Sequence, residues 1–385
     1  MKTTFRIALL PGDGIGPDVT AEAVRVLQEV ARRTDDLHFE MEEFSIGAGE
    51  YLKSAQAAFG GTKRERNSAD LAAGSESVVR EFLRSGDPLP ERVFERMPEF
   101  DAILLGAMGL PGVRWPDGTE MAPQLDLRER LDLYSGVRPI YLFHPDDSPL
   151  KGRQAGDIDF VLLRESTEGL FSTRKTPRDP AAERTTDTML ITRAGAERVI
   201  RAAFRIAAGR RNKVTLIDKA NVLPSMAFFR QIFDEVAREF PQAQTDHVYV
   251  DAAALYLVQR PEMFDVMVTE NMFGDILSDL GAALVGGMGM APSADIGDKY
   301  AVFQPSHGSA PDIAGQGIAN PVATILSAAM MLDWLNTPAS RHGAAMIQTA
   351  VRTVFADPRA RTRDLGGSLS TGEMGAAVLA ALPEK

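Results

Sequence analysis

Short apolar runs alternate along the chain with longer stretches in which apolar side chains recur every three or four positions. The runs Arg6–Leu10, Ala102–Leu105, Phe160–Leu163, Val214–Ile217, Val248–Val250 and Val266–Thr269 are short, apolar and β-rich, and predict strands. Between them, Val19, Ala23, Val26, Leu27 and Val30 share one face of a 3.6-residue helix, and Ala196, Val199, Ile200, Ala203, Phe204 and Ala207 share another. Strands separated by such helices predict an α/β fold on a mainly parallel sheet. No internal repeat is visible. The stretch 53–85 breaks the pattern with Gly60-Gly61, the charged run Lys63-Arg64-Glu65-Arg66 and a short helix predicted from Ser75. It reads as a solvated surface insertion, with a regulatory or subunit-contact role as the alternative.

The first strand runs into Leu10-Pro11-Gly12-Asp13-Gly14-Ile15-Gly16-Pro17. Gly12 and Gly14 fit the first two places of a G-x-G-x-x-G dinucleotide fingerprint, but Pro17 occupies the third. Proline is well placed at the start of the following helix, where a missing N–H costs nothing. The segment therefore predicts a tight strand-to-helix turn, and the fold is not of the Rossmann type.

Arg164, Lys219, Asp251 and Glu270 each fall at or just after the end of a predicted strand. Open parallel sheets bind ligands at that edge, so four reactive side chains there point to a site. Arg128, Arg138 and Arg164 supply planar cationic forks, each able to donate two parallel bonds to a carboxylate. Asp275 and Asp279 stand one helical turn apart, where like charges repel unless a cation lies between them. With Asp251 as a third oxygen donor, an all-oxygen set points to Mg²⁺ or Mn²⁺ rather than Zn²⁺. Lys219, beside other cations, is suited to proton transfer because neighbouring positive charge disfavours its protonated form. The block from Pro305 to Pro321 mixes Gly, Ser, His and Asn, which suit close approach to a nucleotide. Asp312 within it could accept from ribose hydroxyls and would repel a 2′-phosphate, favouring NAD over NADP. Taken singly, each of these residues could equally be a paired or solvated surface charge.

Composition narrows the field. The 385 residues, 44% hydrophobic and 25% charged, are ordinary for a folded enzyme of two lobes. A net charge of −11 argues against nucleic acid or an acidic membrane as partner. With no cysteine there is no disulfide framework, thiolate metal site or cysteine nucleophile. The apolar start breaks at Pro11-Gly12, too early for a secretory segment, and no run is long enough to span a bilayer. A cytoplasmic enzyme is the expectation.

Taken together, the blocks LPGDGIGP, LRERLDLYSGVRP, RESTEG, DKANVL, TENMFGDILSDL and HGSAPDIAGQGIANP closely resemble the isocitrate/isopropylmalate dehydrogenase family of β-decarboxylating dehydrogenases. The resemblance runs from Leu10 to about Leu365, and six blocks in the right order outweigh the bland reading of each. It implies an oxidoreductase with a two-domain, isopropylmalate-dehydrogenase-like α/β fold on parallel or mixed sheets. Residues 1–133 with 286–385 would form a larger NAD-binding domain, and 134–285 a smaller domain for dimerisation, metal and substrate. By position, Arg128, Arg138 and Arg164 would hold the carboxylates of a malate-like substrate, with Gln124, Leu125 and Asn221 completing its pocket. Asp275 and Asp279, with Asp251 from a neighbouring subunit, would bind Mg²⁺ or Mn²⁺. Lys219, also from the neighbour, would move protons. Glu270, His307, Gly308, Ser309, Ala310, Pro311, Asp312, Ile313 and Asn320 would contact NAD. The implied assembly is a homodimer with shared sites, and the implied reaction is oxidation of the hydroxyl-bearing carbon followed by loss of CO₂.

Two departures qualify the resemblance. The family carries a tyrosine seven residues after the arginine of RESTEG, as donor to the enolate carbon; here that place is Phe171. Either another group or water protonates the product, or the reaction stops at oxidation, or decarboxylation is slow. The residues that select the malate substituent read Met121-Ala122-Pro123-Gln124-Leu125. Leu125 suits 3-isopropylmalate, the first expectation. Gln124 would leave a buried amide needing partners, so D-malate, tartrate or an isocitrate-like acid is the alternative. A reading of another class, a non-catalytic NAD- or metabolite-binding regulatory paralogue, has only Phe171 in its favour.

Overall fold

A computed structural model describes residues 4–60, 86–115, 118–176 and 181–384. Ten strands form one mixed sheet in the order β2-β1-β3-β10-β9-β4-β5-β8-β6-β7. They are β1 (Thr4–Gly12), β2 (His38–Glu43), β3 (Ala102–Ala107), β4 (Ser135–Tyr141), β5 (Asp159–Glu165), β6 (Lys213–Asp218), β7 (Gln244–Tyr249), β8 (Val266–Thr269), β9 (Pro292–Ile296) and β10 (Ala301–Pro305). β2, β1, β3 and β10 are mutually parallel, and so are β5, β8, β6 and β7. The antiparallel pairs β10–β9, β9–β4 and β4–β5 join these halves. The mixed sheet is the expected non-Rossmann α/β architecture. Strands from the two ends of the chain make one half and strands from its middle the other.

All six predicted strands are present; β8 matches its apolar run, and the other five extend beyond theirs by one to four residues at one end or both. One boundary needs correction: β7 ends at Tyr249, and Val250 opens a helix. The two apolar faces read from the sequence lie on α1 (Gly16–Arg33) and on the helix Arg193–Ala208, and all eleven of their named residues are buried, ten of them in the main core and Val19 against Ile15 and Ala319. The helix Ala48–Gly60 (α2) carries the chain into the stretch 53–85. The rest of that stretch, with the helix predicted near Ser75, lies outside the described residues. Four further helices matter here: α3 (Pro123–Arg130), α4 (Pro224–Ala237), α5 (Val250–Gln259) and α6 (Asn271–Ala283). Among the described residues no helix is long and apolar enough to cross a membrane.

The glycine-rich turn is a structural junction. Gly14 has φ +59°, and a Cβ there would stand 2.0 Å from the Ser309 carbonyl oxygen, so only glycine fits. The next residue, Ile15, donates its N–H to that same oxygen at 2.8 Å. Asp13, buried, accepts from the N–H groups of Ala48, Gly49 and Gly109. Pro17 sits in the first turn of α1, as its geometry requires.

Candidate active site

Three buried arginines meet in one cleft. Arg128 projects from α3, Arg138 from the middle of β4 and Arg164 from the end of β5, at 6%, 6% and 2% exposure. They line a cleft of about 1060 Å³ together with Gln124, Leu125, Phe171, Asp275, His307 and Gly308. Few cations of this kind are buried without counter-charge, because desolvation of each is costly. Arg128 Nε lies 2.9 Å from Asp295 Oδ2, close enough for an ion pair though without the alignment of a hydrogen bond. Arg138 Nη1 donates to Ser306 Oγ at 2.6 Å, and its Nε has no partner. Arg164 Nε donates to Asn271 Oδ1 at 2.8 Å, and Nη1 reaches Asp275 Oδ1. Its guanidinium carbon stands 5.1 Å from the Phe171 ring centroid, a cation–π contact. Burial, and then the charge of Arg128, push the Arg164 guanidinium down to about 10; burial also lowers Arg138. The cluster is thus primed for an anion.

The acidic pair belongs to the same place. Asp275 lines the cleft, and Asp279 follows one turn later on α6. Burial, then the neighbouring Asp275 charge, hold the Asp279 carboxyl above the usual aspartate range. Arg138 and Arg164 act on it in the opposite sense. Arg164 pairs with Asp275 but not with Asp279, and two carboxylates one turn apart, with oxygen donors only, suit a hard divalent cation. Helix α6 is held close to β5 by Gly274, where a Cβ would come within 2.7 Å of Arg164 Cβ.

Lys219, Asn221 and Asp251 are not in this cleft. Lys219 follows β6 and its Nζ lies 2.5 Å from Asp251 Oδ1, a carboxylate in the first turn of α5. That contact holds the Asp251 carboxyl below its usual range. Asn221 lines a separate groove with Arg230 and Tyr249. Within one chain, and among the described residues, no group of three or more His, Cys, Asp or Glu could hold a metal ion.

The residues expected at the cofactor divide in two. His307 Nδ1 contacts the Gly308 carbonyl oxygen, and its buried Nε2 has no partner, leaving a polar atom for a ligand. Burial lowers the His307 pKa, favouring the neutral ring. Gly308, Pro311 and Asp312 are exposed. Ala310 and Ile313 lean against Ile15 and Val19 of the first turn and helix. Ser309 is buried, with its hydroxyl turned to the Gly109 carbonyl. Asn320 donates its amide N–H to Asp364 at 3.0 Å and its oxygen accepts from the Val322 N–H, so both ends serve the fold. Glu270 differs most from expectation. Its carboxylate is fully buried and caps α6, accepting from the N–H groups of Met272 and Phe273, so its charge stabilises the helix that carries Asp275.

Several cleft residues had no motif to announce them. Trp115, Glu120, Arg174, Lys175 and Gln304 also line it. Arg174 and Lys175 follow Phe171 by three and four residues, a spacing that could have drawn them in. Gln124 lines the cleft as expected, and its Oε1 is buried without a partner.

The family profile described as isocitrate/isopropylmalate dehydrogenase matches residues 62–378. The chain belongs to the isocitrate/isopropylmalate dehydrogenase family. Among its relatives, 3-isopropylmalate dehydrogenase of Moorella thermoacetica is 42% identical over 99% of both chains. In structure it is similar to isocitrate dehydrogenase from Methylococcus capsulatus, with a TM-score of 0.80 and 34% identity over 98% of this chain and 99% of that one. The beta-decarboxylating dehydrogenase of Thermococcus kodakarensis gives 0.75 and 34%, over 98% and 96%. These family likenesses span the central blocks that carry every arginine and aspartate described above.

Proposed function

We propose that the protein is an NAD-dependent, Mg²⁺- or Mn²⁺-dependent dehydrogenase that oxidises and decarboxylates a 3-substituted malate. The observation that carries this reading is the convergence of Arg128, Arg138 and Arg164 with Asp275 in one cleft. The guanidinium groups would donate to the two carboxylates and orient the hydroxyl-bearing carbon. Asp275 and Asp279, with Asp251 of a second copy, would hold the divalent cation, and His307 with the Gly308–Ile313 loop would hold NAD. When bound, these groups supply a hydride acceptor and Lewis-acid polarisation of the resulting carbonyl. Lys219 Nζ of the second copy would carry the proton exchanged with the substrate oxygen. At Phe171 no hydroxyl is present to protonate the product carbon, which leaves that step to water or another cleft group.

The same reading makes the protein a homodimer. Lys219 and Asp251 pair at the surface rather than in the cleft, and Val222 (64%), just after Lys219, and Ile276 (60%), on α6, are exposed apolar side chains that a second copy would cover. The two halves of the sheet would be its domains, 1–133 with 286–385 and 134–285. 3-Isopropylmalate is the first candidate, because relatives such as that of Moorella thermoacetica carry its name. The unpartnered Gln124 amide favours a more polar substituent as the second reading, as in tartrate or an isocitrate-like acid. Incubating the protein with NAD, Mn²⁺ and a panel of 2-hydroxy diacids, and following NADH absorbance, tests the proposal. NADH should form with at least one of them; silence on the whole panel would favour a regulatory paralogue.

A further inference from the structure

The cleft holds more cations than a dianion requires, and the chain neutralises the surplus itself. Arg174 Nη2 lies 2.7 Å from Asp126 Oδ1 and 2.9 Å from Glu129 Oε2. Lys175 Nζ lies 3.2 Å and 2.8 Å from the same two carboxylates. Two cations therefore face two anions on that wall. Arg164 reaches Asp275, but in the proposed function that carboxylate turns to the metal with Asp279.

Beneath the arginine cluster lies one more carboxylate, for which neither the proposed chemistry nor any motif has a use. Asp295 belongs to β9 and is 1% exposed. Its Oδ2 stands 2.9 Å from Arg128 Nε and receives the Gln304 Nε2–H at 2.5 Å. In the sheet it pairs with Gly136, two residues before Arg138, and with Val302 on its other side. Its negative charge is felt at Arg138 and Arg164 as well as at Arg128. It does not line the cleft but stands behind Arg128, which does.

We infer that Asp295 sets the charge class of the substrate: by cancelling one of three guanidinium charges, it matches the cleft to a dicarboxylate whose third substituent is uncharged. In the proposed site Asp251, Asp275 and Asp279 are balanced by the divalent cation and Lys219, so three arginines against Asp295 leave a surplus of two positive charges, equal to the two negative charges of a dicarboxylate. A third carboxylate would find the other cations of the cleft wall, Arg174 and Lys175, already paired with Asp126 and Glu129. Burying such a charge uncompensated is costly, and like-charge juxtaposition is how sites reject wrong partners. Asp295 is thus a positioning residue that acts through Arg128. The inference rests on the proposed function and narrows its substrate class.

The test uses succinate and tricarballylate, a dicarboxylate and a tricarboxylate that lack the hydroxyl and cannot be oxidised. Calorimetric titration of the full-length protein with Mn²⁺ present, at a pH where both are fully ionised, gives their affinities. The wild type should bind succinate at least about tenfold tighter than tricarballylate, and Asp295→Asn, which keeps the shape and removes the charge, should shift that ratio about tenfold toward the tricarboxylate. A purely structural role would weaken both anions equally and leave the ratio unmoved, which overturns the inference. So does a wild type that binds tricarballylate as tightly as succinate, a result that needs no variant to fold. In both cases retained succinate binding leaves the proposed function standing, whereas a wild type that binds neither anion removes both.

Discussion

Replacing Gly274 with alanine puts one methyl group between the helix that carries the acidic pair and the arginine that reaches it. The new Cβ would stand 2.7 Å from Arg164 Cβ, 2.8 Å from Cγ and 3.2 Å from Cα. These atoms are the root of the side chain and the strand backbone, so no rotation at a flexible tip relieves the clash. Helix α6 and β5 must move apart instead. Overpacking of this kind costs about 1–3 kcal/mol, and alanine returns about 1 kcal/mol of helix propensity. The net loss of about 0–2 kcal/mol lowers Tm by a few degrees in a protein of this size. Activity should suffer far more, because a displacement near 1 Å can cost about 100-fold in rate. Thermal melts followed by circular dichroism, with kcat/KM from NADH formation, measure the two effects side by side. Gly372, whose added Cβ would meet nothing within 4 Å, is the control, and its alanine variant should keep full activity. A Gly274→Ala protein with an unchanged Tm and undiminished kcat/KM would refute the claim that this close approach fixes Arg164.

Three other outcomes follow from the same geometry. Arg138→Met removes a buried guanidinium with no carboxylate partner, so stability should hold or rise while substrate KM increases about tenfold to a hundredfold; a large fall in Tm would contradict this. Because the Asp279 carboxyl is held above the usual range, its protonated form persists to higher pH than that of an ordinary aspartate, and Mn²⁺ competes with that proton. Mn²⁺ affinity should therefore weaken as pH falls toward that raised value, beginning above about pH 4, and a titration flat down to pH 4 would count against the assignment. Despite Phe171, CO₂ and NADH should appear one to one at normal turnover; NADH in excess would mean that the reaction stops at oxidation, and Phe171→Tyr should then restore the ratio.

Where periodicity and chemistry agreed, the sequence was easy to read. Val19 to Val30 on α1 and Ala196 to Ala207 on their helix show one buried side each, and both helices form as their spacing predicts. β4 was harder, since Gly136, Arg138 and Pro139 interrupt its apolar run: a strand that donates a functional arginine at its centre sacrifices the pattern that would announce it. β2, the edge strand His38–Glu43, hides for a different reason: it has only one neighbour in the sheet, and its apolar face is just Phe39 and Met41 among charged residues. At the site, Arg128, Arg138, Arg164 and Asp275 were legible because their residue types fit only a few chemistries together. Asp295 was not, although a lone acid within the apolar strand Pro292–Ile296 is the kind of buried charge that asks for a partner. Glu270 shows the opposite lesson: an acid just after a strand reads as reactive, yet the first free N–H groups of the next helix claim it.

The proposed chemistry requires metal and substrate carboxylates to share one cleft, and thermodynamic linkage tests that directly. Mn²⁺ affinity should be measured by calorimetry with and without a 2-hydroxy diacid that yields NADH, and the diacid's affinity with and without Mn²⁺. Each ligand should tighten the other by the same factor, about fivefold or more, and Arg164→Ala should weaken the diacid far more than the metal. Two ligands that bind independently, each indifferent to the other's presence, would contradict it.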